Sequence, residues 1–192
     1  MTSKIKVNIL ADGGDNSIIT SDGAGSFTAS SGLASSVQSV GGIQNTPAFE
    51  GIYNGGGVGF TSATMTKVQI NAEVFDTDGC YDHTTNYRFT PTTAGKYLMY
   101  GQVFASTGTN NMYNHGSAFF KNGSIYRQSY VDLYASTGNG ASEFFSCVID
   151  LNGSTDYVEM YVRTIDTSGN PTYYASSVGQ ITLFGGYKLI GA

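Results

Sequence analysis

The sequence runs to 192 residues with a formal charge of −5, a size that suits one domain plus an appendage. Only 12% of its residues are charged, and its nine Lys and Arg are scattered, which excludes a groove for phosphates and with it a nucleic-acid partner. Twenty-six Gly, 14 Tyr and 11 Phe beside 3 Pro describe an all-β chain with many turns and exclude a disordered one.

Residues 1–46 are thin in apolar side chains. Three short strand-like pieces, Lys4–Leu10, Asn16–Asp22 and Gly25–Ser31, are separated by the turn signals Gly13-Gly14 and Asp22-Gly23. The segment cannot build a core of its own, so we expect it to attach to other proteins. The apolar run Ile5–Leu10 is broken by Asn8 and is too short for a signal-peptide core. No stretch reaches the ~20 apolar residues of a membrane helix. Synthesis in a cytoplasm without export, and no membrane partner, is the expectation.

From Pro47 the apolar density rises and the all-β domain, residues 47–192, begins. Pro47–Asn54 places Phe49 and Tyr53 on one face. The glycines of Asn54–Gly59 lack the Lys-Ser/Thr of a phosphate loop and read as a plain loop. Lys67–Phe75 alternates, with Val68, Ile70, Ala72 and Val74 predicted inward. Asp76–His83 gathers oxygen ligands, but Tyr87 stands where a calcium loop needs its closing Glu, so a turn is expected and no metal is assigned. Two strands flank the Pro91–Gly95 turn, the second being Tyr97–Ala105. Ser106–Gly116 reads as a polar loop. Ser117–Tyr134 reads as a hairpin about Asn122-Gly123, the preferred pair for a type I′ turn.

Glu143–Leu151 is apolar on both faces, with Phe145, Cys147, Ile149 and Leu151 on one and Phe144 and Val148 on the other. In Asp156–Thr164, Val158, Met160 and Val162 point inward, and Tyr157, Glu159, Tyr161 and Arg163 outward. The closing stretch Gly179–Ala192 is apolar on both faces too, with Ile181, Leu183, Tyr187 and Leu189 on one and Phe184 and Ile190 on the other. A strand with one wet face alternates apolar with polar. Phe144, Val148, Leu183, Phe184, Tyr187 and Leu189 are therefore the candidates for core or subunit interface. Eight to ten strands and no helix are expected after Pro47, which points to an all-β, two-sheet jelly-roll sandwich. Cys147 is expected to be a buried thiol and Cys80 to lie in a polar loop.

The ordered features of this domain resemble the globular head of complement component one q, within the tumour-necrosis-factor-like jelly-roll superfamily. Pro47-Ala48-Phe49 is similar to its first strand, and Lys67–Asp82, with the pair Tyr81-Asp82, to its second. Phe89, Thr90, Pro91, Gly95 and Tyr97 are similar to its Phe-Thr-x-Pro-x-x-Gly-x-Tyr run, with one residue missing before the proline. Leu151–Val162 resembles the penultimate strand, and Phe184, Gly185, Gly186, Tyr187 and Leu189 the closing one. The resemblance implies ten strands in two five-stranded sheets and a homotrimer. The closing strand would run centrally in the sheet facing the three-fold axis. No collagen-like repeat precedes the domain. The opening residues instead resemble the N-termini of bacteriophage virion proteins, tail fibres especially.

Three classes of function are open. Catalysis is poorly supported: His83 and His115 are the only histidines, and neither a nucleophile elbow nor a Cys/His cluster occurs. We assign no catalytic residue and no cofactor. A recognition head would bind a host-surface glycan or protein through loop residues Tyr113, Asn114, His115, Tyr130, Tyr134, Tyr173 and Tyr174, since Tyr offers rigid area with a polar tip. A capsid decoration would clamp to the shell through residues 1–46. The last two share a virion location and the homotrimer.

Overall fold

The computed structural model describes residues 9–24, 26–30, 45–108, 111–134, 138–167, 170–175 and 181–190. It divides between residues 44 and 45 into two compact units. The smaller holds an antiparallel three-stranded sheet of β1 (Ile9–Ala11), β2 (Ser17–Ser21) and β3 (Phe27–Ala29). Its turns are built by aspartates: Asp12 accepts the amides of Gly14 and Asn16, and Asp22 those of Ala24 and Ser26. Such side-chain acceptors let a short chain reverse without other support.

The larger unit is a β sandwich with no helix among its described residues. Its strands are β4 (Ala48–Ile52), β5 (Val58–Gly59), β6 (Thr66–Lys67), β7 (Ala72–Asp76), β8 (Tyr81–Asp82), β9 (Arg88–Phe89) and β10 (Gly95–Ser106), then β11 (Met112–Lys121), β12 (Ser124–Asp132), β13 (Gly140–Leu151), β14 (Val158–Asp166), β15 (Thr172–Tyr173) and β16 (Leu183–Lys188). Seven form one sheet, in the order β5-β15-β10-β16-β4-β7 with β13 along the other side of β10. Six form the second, in the order β12-β11-β14-β9-β8 with β6 also on β14. The count exceeds ten because β5, β6, β8, β9 and β15 are two-residue pieces where the chain touches a sheet briefly.

The closing strand lies where the resemblance implies, inside its sheet, between β10 and β4. It is shorter than the apolar stretch, covering Leu183–Lys188, with Leu189 and Ile190 following it. The ends of Gly179–Ala192 lie outside the described residues.

Between the sheets sits one aromatic core. Phe49 stacks on Tyr81 and Phe89 at centroid distances of 4.7 and 4.4 Å, and meets Phe184 edge-on at 5.0 Å. Phe119 stacks on Phe145 at 4.3 Å, joining the two sheets across the core. Each fully buried ring contributes about 1.5–3 kcal/mol. Asn122 and Gly123 both have positive φ, 52° and 79°, as the type I′ turn between β11 and β12 requires.

Two expectations are corrected. The alternation over Lys67–Phe75 is not one strand. Thr66-Lys67 pairs with β14 in one sheet and Ala72–Asp76 with β4 in the other. The chain changes sheets between them, so Val68 and Ile70 are buried while Val74 is exposed on an edge strand. Cys80 is also buried, near Thr92 Oγ1. Cys147 is buried as expected, and both thiols are free.

Candidate functional site

Two surfaces carry the candidate residues. The first is the outward face of the seven-stranded sheet. Strand register aligns its side chains in rows across β13, β10, β16 and β4. One row is Val148, Leu98, Tyr187 and Ala48, and the next but one is Phe144, Gln102, Leu183 and Ile52. Phe144 is 59% exposed and Val148 44%, while Leu183 and Tyr187 are half-buried. Phe184 points the other way and is wholly buried. The interface candidates thus separate: Phe184 belongs to the core, and Phe144, Val148, Leu183 and Tyr187 belong to one outward face. Leu189, half-buried, follows the strand and donates its amide to Lys96 O at 2.8 Å.

The middle row of this face is Ser146, Tyr100, Gly185 and Glu50. Tyr100 reaches over Gly185 to donate its hydroxyl to Glu50 Oε2 at 2.8 Å. A Cβ at Gly185 would lie 2.5 Å from that hydroxyl oxygen and 2.7 Å from ring carbon Cε2. On the opposite face a Cβ at Gly186 would lie 2.7 Å from Met99 Sδ. The Gly-Gly pair therefore lets β10 place a large side chain over β16 on both of its faces. Loss of water, with the Glu50 hydrogen bond next, pushes the Tyr100 phenol well above its ordinary pKa of 10.

The second surface is a groove of about 480 Å³ on the outward face of the six-stranded sheet. Its register rows are Asp132–Asn114–Ile165 and Tyr130–Gly116–Arg163 across β12, β11 and β14. Three recognition candidates meet here, Asn114, Tyr130 and Tyr134. The tyrosines are 61% and 66% exposed. Tyr113, half-buried, packs its ring 5.4 Å from that of Tyr134. Gly116 lets β12 approach β11 closely here, because a Cβ would fall 2.5 Å from Ser129 O and 2.6 Å from Tyr130 Cβ. Asp132, Gln128 and Arg163 also line the groove. No local motif marks them; only the placing of β11 between β12 and β14 brings them together.

Two other candidates are removed from any recognition surface. His115 is fully buried and ties the sheets together. Its Nε2 donates to Val103 O at 2.8 Å, so its Nδ1 accepts from the Thr164 hydroxyl at 3.0 Å. Burial lowers its pKa from 6.5 to about 4, so it is neutral. Tyr173 is buried against Tyr53 and Phe60. Tyr174 is half-buried, with its ring near that of Phe104 at 6.3 Å. Within the loop expected over Ser106–Gly116, residues 112–116 are strand, since β11 starts at Met112, while Thr109 and Asn110 lie outside the described residues. A bulge between Met112 and Asn114 sets both Met112 and His115 inward, which a polar string of Asn, His and Gly does not betray.

The oxygen ligands of Asp76–His83 serve the turn. Asp76 accepts the amides of Asp78 and Tyr81. Asp82 accepts those of Thr84, Thr85 and Asn86, and these bonds, Thr85's first, hold its carboxyl far below the usual range. Among the described residues no group of three or more His, Cys, Asp or Glu could hold a metal.

No protein-family model matches the sequence, and no curated protein matches it. Solved structures do resemble it. Murine APRIL matches at TM-score 0.53 with 16% identity, over 74% of this chain and 98% of that one. Eiger TNF from S. frugiperda matches at 0.53 with 15% identity, over 76% and 93%. The globular domain of zebrafish complement 1qA gives 0.49 with 17% identity, over 75% and 98%. The first two share its fold: the larger unit is an all-β jelly-roll sandwich built like theirs.

Proposed function

We propose that the protein is a homotrimeric structural component of a bacteriophage virion, made in the host cytoplasm, whose jelly-roll head binds a partner or host surface at the tip of a tail fibre. The observation that carries the trimer is the outward face of the seven-stranded sheet. Phe144, Val148, Leu98, Tyr187, Leu183 and Ile52 lie in register across four strands with only one charged side chain, Glu50, among the rows, and its carboxylate is engaged by Tyr100. A contiguous apolar patch on a soluble chain marks a contact surface. The opposite outward face carries a groove that holds Asp132, Arg163 and two exposed tyrosines, so the two faces suit different tasks. The virion context is supported by the resemblance of the opening residues to phage proteins and by a chain rich in Gly and Tyr and poor in Cys. Residues 1–46 would attach the head to other virion proteins.

A second reading, a capsid decoration clamped to the shell, is favoured by the separate compact unit that precedes the head. Electron microscopy of virions carrying gold-labelled protein distinguishes the two. Label at the fibre tip supports the recognition head, label on the shell the decoration, and unlabelled virions reject both. A sedimentation mass of a monomer at micromolar concentration would reject the trimer.

A further inference from the structure

We propose that the groove between β12, β11 and β14 is a carbohydrate site that takes one pyranose unit of a glycan, an inference that rests on the recognition reading above and gives it a place and a ligand class. Asn114 carries the strongest sign of a ligand. It is only 7% exposed and lines the groove, and its side-chain amide has no hydrogen-bond partner among the described residues. A side-chain amide both donates and accepts, as a sugar hydroxyl does.

Its neighbours extend the pattern. Arg163 uses Nε to donate to Ala63 O at 3.0 Å, which fixes the guanidinium plane. Its terminal nitrogens make no ion pair among the described residues. Asp132 accepts the Tyr134 amide through Oδ1 at 3.0 Å and pairs with no cation among the described residues. A planar donor, a planar acceptor and an amide that does both stand on three adjacent strands about 5 Å apart. Adjacent hydroxyls of a sugar need this mixture, because each hydroxyl gives one proton and takes one or two. Tyr130, opposite Gly116 in its row, offers a mostly exposed ring on which the flat C–H face of a sugar can stack. Asp132 offsets Arg163, so the groove does not select a strongly charged ligand, and a volume of about 480 Å³ fits a ligand of sugar size.

The test is saturation-transfer NMR on the full-length protein with the methyl glycosides of glucose, galactose, mannose, rhamnose and N-acetylglucosamine. At least one is expected to receive saturation, and Asp132→Asn and Arg163→Gln are each expected to weaken its binding tenfold or more. Arg127→Gln, which removes an exposed charge on the same strand outside the groove, should leave binding intact. No transfer to any of the five, or transfer that survives both groove variants, overturns the site. Virions that carry the labelled protein while no sugar binds would reject this site and leave the virion reading standing. Sugar binding by a protein not found on virions would do the reverse.

Discussion

His115 shows how far a single residue's role depends on its surroundings. In the string Tyr113-Asn114-His115-Gly116 it reads as loop chemistry, yet it bridges Val103 and Thr164 across the core as a neutral imidazole. Its folded pKa of about 4 lies below the unfolded value of 6.5. The unfolded chain therefore binds the extra proton first as pH falls. The stability that His115 gives is whole above pH 6.5 and is lost progressively down to about pH 4, by about 3 kcal/mol. Urea titrations across that window should show the decline, and His115→Gln should flatten it. Gly185 is the second decisive residue. Gly185→Ala would collide with the Tyr100 ring and break its bond to Glu50. We expect a loss of about 1–3 kcal/mol, read as a lower urea midpoint. Tyr100→Ala in the same chain should relieve much of it.

At the scale of the element, β16 serves two purposes on its two faces. Phe184 faces the core and Leu183 the outward apolar face. A charge on the two residues should thus have different results. Phe184→Asp buries an unpaired charge at a cost of several kcal/mol and should abolish folding, seen as loss of the near-ultraviolet circular dichroism. Leu183→Asp should keep that spectrum and yield monomers by sedimentation; a Leu183→Asp trimer would show that this face is not the interface. Strand β14 carries the other charged test. Glu159 is buried on the outward side of its sheet, held by Lys67 Nζ at 2.6 Å. Lys67→Met leaves that carboxylate without its cation, and thermal unfolding should reveal a loss of roughly 3–5 kcal/mol. The strands themselves were legible in sequence where one face was strictly apolar, as at Phe145, Cys147, Ile149 and Leu151. They were misread where the chain changes sheets under an unbroken alternation, as at Lys67–Ala72, and where a bulge breaks the two-residue period on which pattern reading depends, as at Met112–Asn114.

For the whole molecule, the division between residues 44 and 45 leaves each unit with its own sheet. A chain starting at Asn45 should fold and form the same trimer by light scattering, and should fail to join virions. A collapsed head would instead mean that the first unit supports its fold. The groove test belongs at this scale too, since Asn114, Asp132 and Arg163 meet only through strand order.

Composition and alternation determined the all-β class, the hairpin at Asn122-Gly123, the inward row of β13 and the doubly apolar closing strand, because each rests on neighbours a few residues apart. The ordered motifs added the jelly roll and the central place of β16. The tertiary structure alone decided that Phe184 is core while Leu183 is surface, that His115 and Tyr173 are interior, and that Asn114, Tyr130 and Tyr134 share a groove with Asp132 and Arg163. Those facts depend on which strand lies beside which, and residues from 114 to 163 become neighbours only when β11 pairs on both its edges.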